Sequence, residues 1–148
     1  MTETTARRPR VLVLSFDHRP PQEVRSYVDD LVGVGVQVDL LLAETRGTEG
    51  LDVDPRVTVR TVLDVAERGR GFVSRVFLDR PSRPAFRVAR PWFLTWRARG
   101  MVAALDLAGA DRIVAGDTSA VPMAWRLARR YPTVRVTTAL DRKPYLER

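Results

Sequence analysis

A chain of 148 residues without cysteine cannot use disulfides or thiolate metal sites, so one packed core has to stabilise it. Its longest apolar runs, residues 11–14 and 40–43, exclude a bilayer span of roughly 20 residues. Residues 1–10 also lack the apolar core of a signal peptide, so we expect a single cytoplasmic domain over residues 1–148. The formal net charge of +7 is concentrated in residues 60–99, which hold ten arginines and three acidic residues.

The first half of the chain alternates short apolar runs with one amphipathic segment. Residues 10–16 form a continuous apolar run, which is typical of a strand buried on both faces of a parallel sheet. Apolar residues then recur at helical spacing in residues 24–32, and Gly33 or Gly35 is predicted to end this helix. Residues 36–43 and 57–62 predict two further strands, and the first helix with its two flanking strands makes a right-handed βαβ unit.

A long connection follows the third predicted strand. Residues 63–91 are rich in Arg, Pro and Gly and lack periodicity, so we predict a loop with at most a short helical piece at residues 72–78. A longer helix is predicted from Pro91 to Gly109. Its apolar stripe is Leu94, Ala98, Met101, Leu105 and Ala108.

The last part of the chain predicts strand, helix and strand. Residues 112–115 and 134–138 are the strands, and Asp117, Thr118 or Ser119 can cap the helix between them. The predicted apolar face of this helix is Val121, Ala124, Trp125, Ala128 and Tyr131. The alternation of strands and helices indicates an α/β protein with an open, doubly wound, Rossmann-like parallel sheet of about five strands in the order 3-2-1-4-5.

In this strand order a ligand crevice is expected where the carboxyl ends of the first and fourth strands meet. The loops of residues 15–20 and 116–119 follow those ends, and the second loop leads into a helix whose free N–H groups suit a phosphate or carboxylate. The candidate substrate-binding residues are Asp17, His18, Arg19, Gly116, Asp117 and Thr118.

Two of these residues have alternative interpretations. A histidine titrates near neutrality, so His18 could act as a general base modulated by Asp17, or it could be an ordinary histidine of a surface loop. Asp117 could bind a sugar hydroxyl, or it could simply cap the helix. The sequence leaves both questions open.

The basic segment of residues 60–99 suggests a second type of site. Its arginines alternate with aromatic residues, a composition suited to weak, salt-sensitive adhesion to anionic membranes rather than to specific nucleic-acid binding. The candidate anion patch is Arg83, Arg87, Arg90 and Arg97, and the neighbouring aromatic residues are Phe86, Trp92, Phe93 and Trp96. Alternatively, Trp92 and Trp96 lie in the core. The arginine excess could then reflect GC-rich coding, since Lys143 is the only lysine.

Several standard sites are absent from the sequence. There is no G-x-G-x-x-G, no G-x-x-x-x-G-K-[ST] and no G-x-S-x-G. One histidine without cysteine makes a zinc site improbable. We therefore expect neither a cofactor nor a metal.

Three stretches resemble the N-terminal half of a GT-B glycosyltransferase, especially the large retaining family four that includes sucrose and phosphatidylinositol-mannosyl transferases. They are residues 10–16 with 21–40, residues 110–117 and residues 120–130. The resemblance implies an acceptor-side domain, whose partner domain binds the nucleotide-sugar and carries a paired-glutamate motif. Because that domain is not in this sequence, we expect a separate donor-binding chain or a truncated remnant, and a lipid-linked acceptor would suit membrane adhesion.

The sequence also departs from this family in two places. Residues 16–19 replace the glycine-rich loop often found after the first strand, and residues 115–117 replace the histidine usual after the fourth. No catalytic role is therefore transferred, and the catalytic residues stay unknown. The alternative function is a non-enzymatic module that binds an anionic ligand or a membrane surface.

Overall fold

In the computed structural model, five parallel strands form one sheet in the order β3-β2-β1-β4-β5. The structure describes residues 7–44, 49, 51, 54–63 and 84–146, without the side chains of residues 85, 86 and 146. The strands are β1 (Arg10–Ser15), β2 (Gln37–Leu42), β3 (Val57–Thr61), β4 (Arg112–Ala115) and β5 (Arg135–Thr137). Their order confirms the predicted doubly wound, Rossmann-like α/β fold.

Helices cover both faces of the sheet. They are α1 (Gln22–Gly33), α2 (Pro84–Ala103), α3 (Val121–Arg130) and the short α4 (Lys143–Leu146), with a 3-10 turn (Thr118–Ala120) before α3. Successive strand residues point to opposite faces. Val13 therefore shares a buried cluster with Tyr27 of α1, whereas Leu12 shares the other cluster with Leu94 of α2 and Met123 of α3.

The end of α1 agrees with the prediction. The helix ends at Gly33, and Gly35 has a φ of +84°, in the left-handed region that favours glycine. The N–H of Val36 donates to the carbonyl of Leu31, which turns the chain back toward the start of β2.

The long helix was predicted with wrong bounds, because α2 begins at Pro84 and contains Pro91. A proline inside a helix removes one hydrogen bond, here to the carbonyl of Arg87, and Arg87 is exposed so that water can take its place. The helix also ends before Gly109, at Ala103, and the turn that follows it buries Leu105 and Leu107. The predicted helical piece at residues 72–78 lies outside the described residues.

The predicted apolar face of α3 was right for Ala124, which is buried, and for Tyr131, which packs against the core, but wrong for Val121 and Trp125. Val121 and Trp125 are 40% and 55% exposed, whereas the buried residues of the helix are Met123, Ala124 and Leu127. The helix carries two apolar stripes, and the stripe with Met123 and Leu127 continues the buried Ala120 of the preceding turn. Of the helices in the described ranges, none is long and apolar enough to cross a membrane.

Candidate functional site

The two predicted crevice loops lie side by side at one edge of the sheet. β1 and β4 are adjacent and in register from the Val11–Arg112 pair to the Leu14–Ala115 pair, so both strands end at the same level. The N–H of Gly116 donates to the carbonyl of Leu14 at 2.7 Å and continues this pairing beyond β4. The structure therefore brings together the loops that follow β1 and β4, as the topology predicts.

Asp117 joins the two loops through both of its carboxylate oxygens. Oδ2 accepts hydrogen bonds from the Ser15 hydroxyl at 2.7 Å and from the Asp17 N–H at 3.1 Å. Oδ1 accepts from the N–H of Ala120 at 2.9 Å and so caps the 3-10 turn before α3. Asp117 thus caps this turn rather than α3 itself, whose N-cap residue is Ala120 without a side-chain hydrogen bond. The same side chain also holds the loop that follows β1.

Asp17 makes the reverse connection. Its Oδ1 accepts a hydrogen bond from the Ser119 hydroxyl at 2.7 Å. Among the described residues none donates a hydrogen bond to its other oxygen, Oδ2. Each loop thus supplies a carboxylate to a hydroxyl of the opposite side of the crevice, which fixes the backbone of both loops.

The environment of Asp117 shifts its protonation equilibrium. Burial raises the pKa of this carboxyl above 3.8, because removal from water penalises the charged form, and the nearby negative charge of Asp17 raises it further. The hydrogen bonds from Ser15, Asp17 and Ala120 act in the opposite direction, since they stabilise the carboxylate. The net direction is upward, so burial and the charge of Asp17 together outweigh the three hydrogen bonds.

A buried arginine connects α2 to the same edge of the sheet. Nη1 of Arg90 donates to the carbonyl of Phe16 at 2.7 Å, and Nη2 lies 3.7 Å from Oε1 of Glu44, the second residue after β2. Burial lowers the pKa of Arg90, and the negative charges of Glu44, Asp17 and Asp117 oppose that shift. Arg90 is therefore not part of an exposed anion patch, contrary to the expectation from its sequence neighbours.

His18 contacts the same glutamate. Its Nδ1 lies 3.3 Å from Oε1 of Glu44, and its side chain is close to half exposed. If Nδ1 carries the proton and donates to the buried carboxylate, then Nε2 is the acceptor nitrogen of the neutral ring. This orientation would leave an accessible proton acceptor beside the crevice.

The other predicted site residues have different roles. At Gly116 a Cβ would lie 2.6 Å from Cγ2 of Val24, so glycine is needed for the close approach of α1. Thr118 is exposed and begins the 3-10 turn, and Arg19 is exposed and lies outside the hydrogen-bond network. Arg87 and Arg97 are exposed, whereas Arg83 lies outside the described residues.

The candidate substrate-binding residues did not include four members of this network, namely Ser15, Glu44, Arg90 and Ser119. Ser15 and Ser119 lie in the two predicted loops and Arg90 was assigned to the anion patch, so only Glu44 was not named at all. Glu44 could have been found, because it is the first charged residue after a buried strand that ends at the same edge. Arg90 could not, because its charge was indistinguishable from that of the surrounding arginines. Within the described ranges no three His, Asp or Glu side chains are arranged to hold a metal ion.

The fold is similar to that of a much longer protein. No protein-family model and no curated protein matches the sequence. The crystal structure of TcCGT1 in complex with UDP superposes with a TM-score of 0.58 at 11% identity, covering 94% of this chain. This chain spans 30% of the length of TcCGT1. At this identity the likeness shows the fold alone, a Rossmann-type α/β domain.

Proposed function

We propose that this chain is the acceptor-side half of a glycosyltransferase and acts with a separate chain that binds the nucleotide-sugar. The observation that carries the proposal is the crevice between the ends of β1 and β4, whose two loops are hydrogen-bonded to each other, in a fold that resembles part of TcCGT1. Donor binding by a separate polypeptide is part of the proposal and rests on the resemblance to the N-terminal half of a GT-B glycosyltransferase, in which a partner domain binds the nucleotide-sugar. Membership of the retaining family four is part of this proposal and rests on residues 10–16 with 21–40, residues 110–117 and residues 120–130.

The polar groups of the crevice favour a ligand with hydroxyl groups. Asp17, Glu44 and Asp117 contribute three carboxyl groups, while Arg90 is the buried cation among them. The N–H of Ala120, at the start of the helical segment, is already occupied by Asp117, so a phosphate there would compete with a carboxylate of the chain itself. Oδ2 of Asp17 and Nε2 of His18 are suitable acceptors for sugar or polyol hydroxyls.

Ligand binding can be tested by thermal unfolding of the purified chain with a panel of sugars and polyol headgroups. A ligand at a hundredfold excess over its Kd stabilises the folded state by about 2.7 kcal/mol. We expect at least one compound of the panel to stabilise the wild-type chain and the control Asp29→Asn, which alters an exposed aspartate of α1, but not Asp17→Asn. Equal stabilisation of all three proteins would contradict a hydroxyl site at the crevice.

The need for a partner has its own test. We expect the chain alone to transfer no sugar from a nucleotide-sugar to an acceptor, and activity to appear on adding a donor-binding chain encoded by an adjacent reading frame. Transfer by the purified chain alone would contradict a split enzyme. The second candidate, a non-enzymatic module for an anionic surface, is favoured by the exposed apolar and basic side chains of α2.

A further inference from the structure

Helix α2 carries an apolar stripe that faces solvent. Val88, Trp92 and Trp96 are 71%, 56% and 53% exposed. They follow one another at intervals of four residues, so they share one side of the helix over roughly 12 Å. The expectation that both tryptophans lie in the core is therefore wrong. We call these three residues the α2 stripe.

The charges of α2 all have one sign. The helix contains four arginines and no aspartate or glutamate. Arg90 is buried, while Arg87, Arg97 and Arg99 are exposed. The guanidinium of Arg99 lies 5.1 Å from the ring centre of Trp96, so a cation lies directly beside the stripe. By contrast, α1 carries Glu23, Asp29 and Asp30.

We propose that the α2 stripe and the arginines beside it bind the surface of an anionic lipid bilayer. Exposed tryptophan rings are favoured at headgroup depth, where the ring is in contact with acyl chains and the indole N–H with water. Arginines beside them meet lipid phosphates, and each one near an anionic leaflet strengthens binding by roughly fivefold. This role does not depend on the proposed transferase activity.

A membrane fits these side chains better than a nucleic acid does. Bases stack well on indole rings, but the most exposed residue of the stripe is Val88, an aliphatic side chain that offers no ring to a base. In a bilayer interface all three side chains are buried on one side of a helix, while the flanking cations remain in the headgroup layer. The exposed charges of α2, all of them positive, are complementary to anionic headgroups.

The first experiment is co-sedimentation of the full chain with vesicles. We expect it to pellet with vesicles of phosphatidylcholine and phosphatidylglycerol, but not with phosphatidylcholine alone. Binding should weaken as salt shortens the Debye length from ~10 Å at 0.1 M to ~3 Å at 1 M. Equal sedimentation with both vesicle types, or none with either, would overturn the proposal.

The second experiment locates the contact, because the chain has three tryptophans and all three are exposed. One variant keeps only Trp96 (Trp92→Phe, Trp125→Phe), and the matched control keeps only Trp125 (Trp92→Phe, Trp96→Phe). With anionic vesicles we expect the emission of Trp96 to shift to the blue and to be quenched by brominated acyl chains. The emission of Trp125, on α3, should stay unchanged. A response of Trp125 equal to that of Trp96 would overturn the assignment to α2.

The third experiment tests the charges of α2 by comparing two double variants that have the same net charge. Replacing Arg87→Gln and Arg99→Gln should weaken vesicle binding by at least tenfold, given roughly fivefold for each arginine. The control pair, Arg126→Gln with Arg135→Gln, removes the same charge from exposed positions of α3 and β5 and should weaken it less than threefold. Equal losses of vesicle binding in the two double variants would overturn a specific lipid surface on α2. So would single-stranded RNA that displaces the protein from vesicles and also shifts the emission of Trp96.

Discussion

Asp117 uses both carboxylate oxygens within the chain, so it caps the 3-10 turn before α3 and links that turn to the end of β1. A cap of this kind contributes about 1 kcal/mol to stability. The hydroxyl of Ser15 is buried, and the bond to Asp117 also avoids leaving it without a partner. The raised pKa of Asp117 makes these interactions sensitive to pH.

The first prediction follows from that pKa. Because burial raises it above 3.8, the folded state holds the proton of Asp117 more tightly than the unfolded chain does. The stability from this group is fully present below pH 3.8 and is lost as the pH rises through the raised pKa. Asp117→Asn has no titratable group at this position. The unfolding free energy of the wild type should therefore fall relative to that of the variant as the pH rises from 3.8 through the raised pKa. Urea unfolding at a series of pH values measures the difference.

Ser15→Ala is a second, independent check of the same carboxyl group. It removes a hydrogen bond that lowers the pKa of Asp117, so the pKa should rise further, as measured by the carboxyl carbon-13 shift. A lower pKa of Asp117 in Ser15→Ala would be incompatible with the described contacts. So would a difference in unfolding free energy between the wild type and Asp117→Asn that does not change with pH.

At the scale of elements, Arg90 attaches α2 to the carboxyl ends of β1 and β2. Its guanidinium contacts the carbonyl of Phe16 and the carboxylate of Glu44, and it is buried with them. Nε and Nη2 form no hydrogen bond with the described part of the chain, so the pair is incompletely satisfied. Removing one partner alone should therefore be much more harmful than replacing both.

The second prediction tests this coupling. Arg90→Met should destabilise the protein by about 3 kcal/mol, because the buried carboxylate of Glu44 loses its guanidinium. The double variant Arg90→Met with Glu44→Gln should recover most of that loss. Urea unfolding of the single and double variants measures the coupling energy, and additive effects of the two substitutions would show that the pair is not coupled.

The third prediction concerns the two apolar stripes of α3. Leu127→Ala removes a buried side chain and should destabilise the fold by roughly 3 kcal/mol. Trp125→Ala removes a larger but exposed side chain, whose ring centre lies 4.9 Å from the guanidinium of Arg129, and should change stability by less than about 1 kcal/mol. Chemical denaturation ranks the two variants, and the reverse order would restore the face predicted from the sequence.

These two helices show where periodicity loses its predictive value. A stripe of Val121, Trp125 and Ala128 has the same spacing as the stripe that is buried, so spacing alone cannot choose between them. The choice depends on how α3 packs against α2 and β4. In α2, Pro91 resembles a helix start in sequence, although the missing hydrogen bond falls on an exposed turn where water can replace it.

At the scale of the whole molecule, the sheet was predictable and the site only partly so. β1, β2 and β4 are buried on both faces, which leaves continuous apolar runs in the sequence and fixes the strand order through the usual handedness of βαβ units. The edge where the loops meet follows from that order. The partners of Glu44 do not, because Arg90 and His18 reach it from distant parts of the chain and depend on the position of α2.

The last prediction concerns the net charge of +7 and its dependence on salt. Ion pairs such as Arg10–Asp39, with a 2.6 Å separation and partial burial, are short compared with the Debye length of ~10 Å at 0.1 M, so salt screens them weakly. Repulsion between arginines spread over the surface acts over longer distances and is screened strongly.

Raising sodium chloride from ~0.01 M to ~0.1 M should therefore raise the melting temperature, while the same change weakens binding to anionic vesicles. Arg87→Gln with Arg99→Gln should reduce both effects, since it removes two charges. Scanning calorimetry measures the first effect and co-sedimentation the second, and a melting temperature that falls with salt would mean that attraction within the fold outweighs its net repulsion.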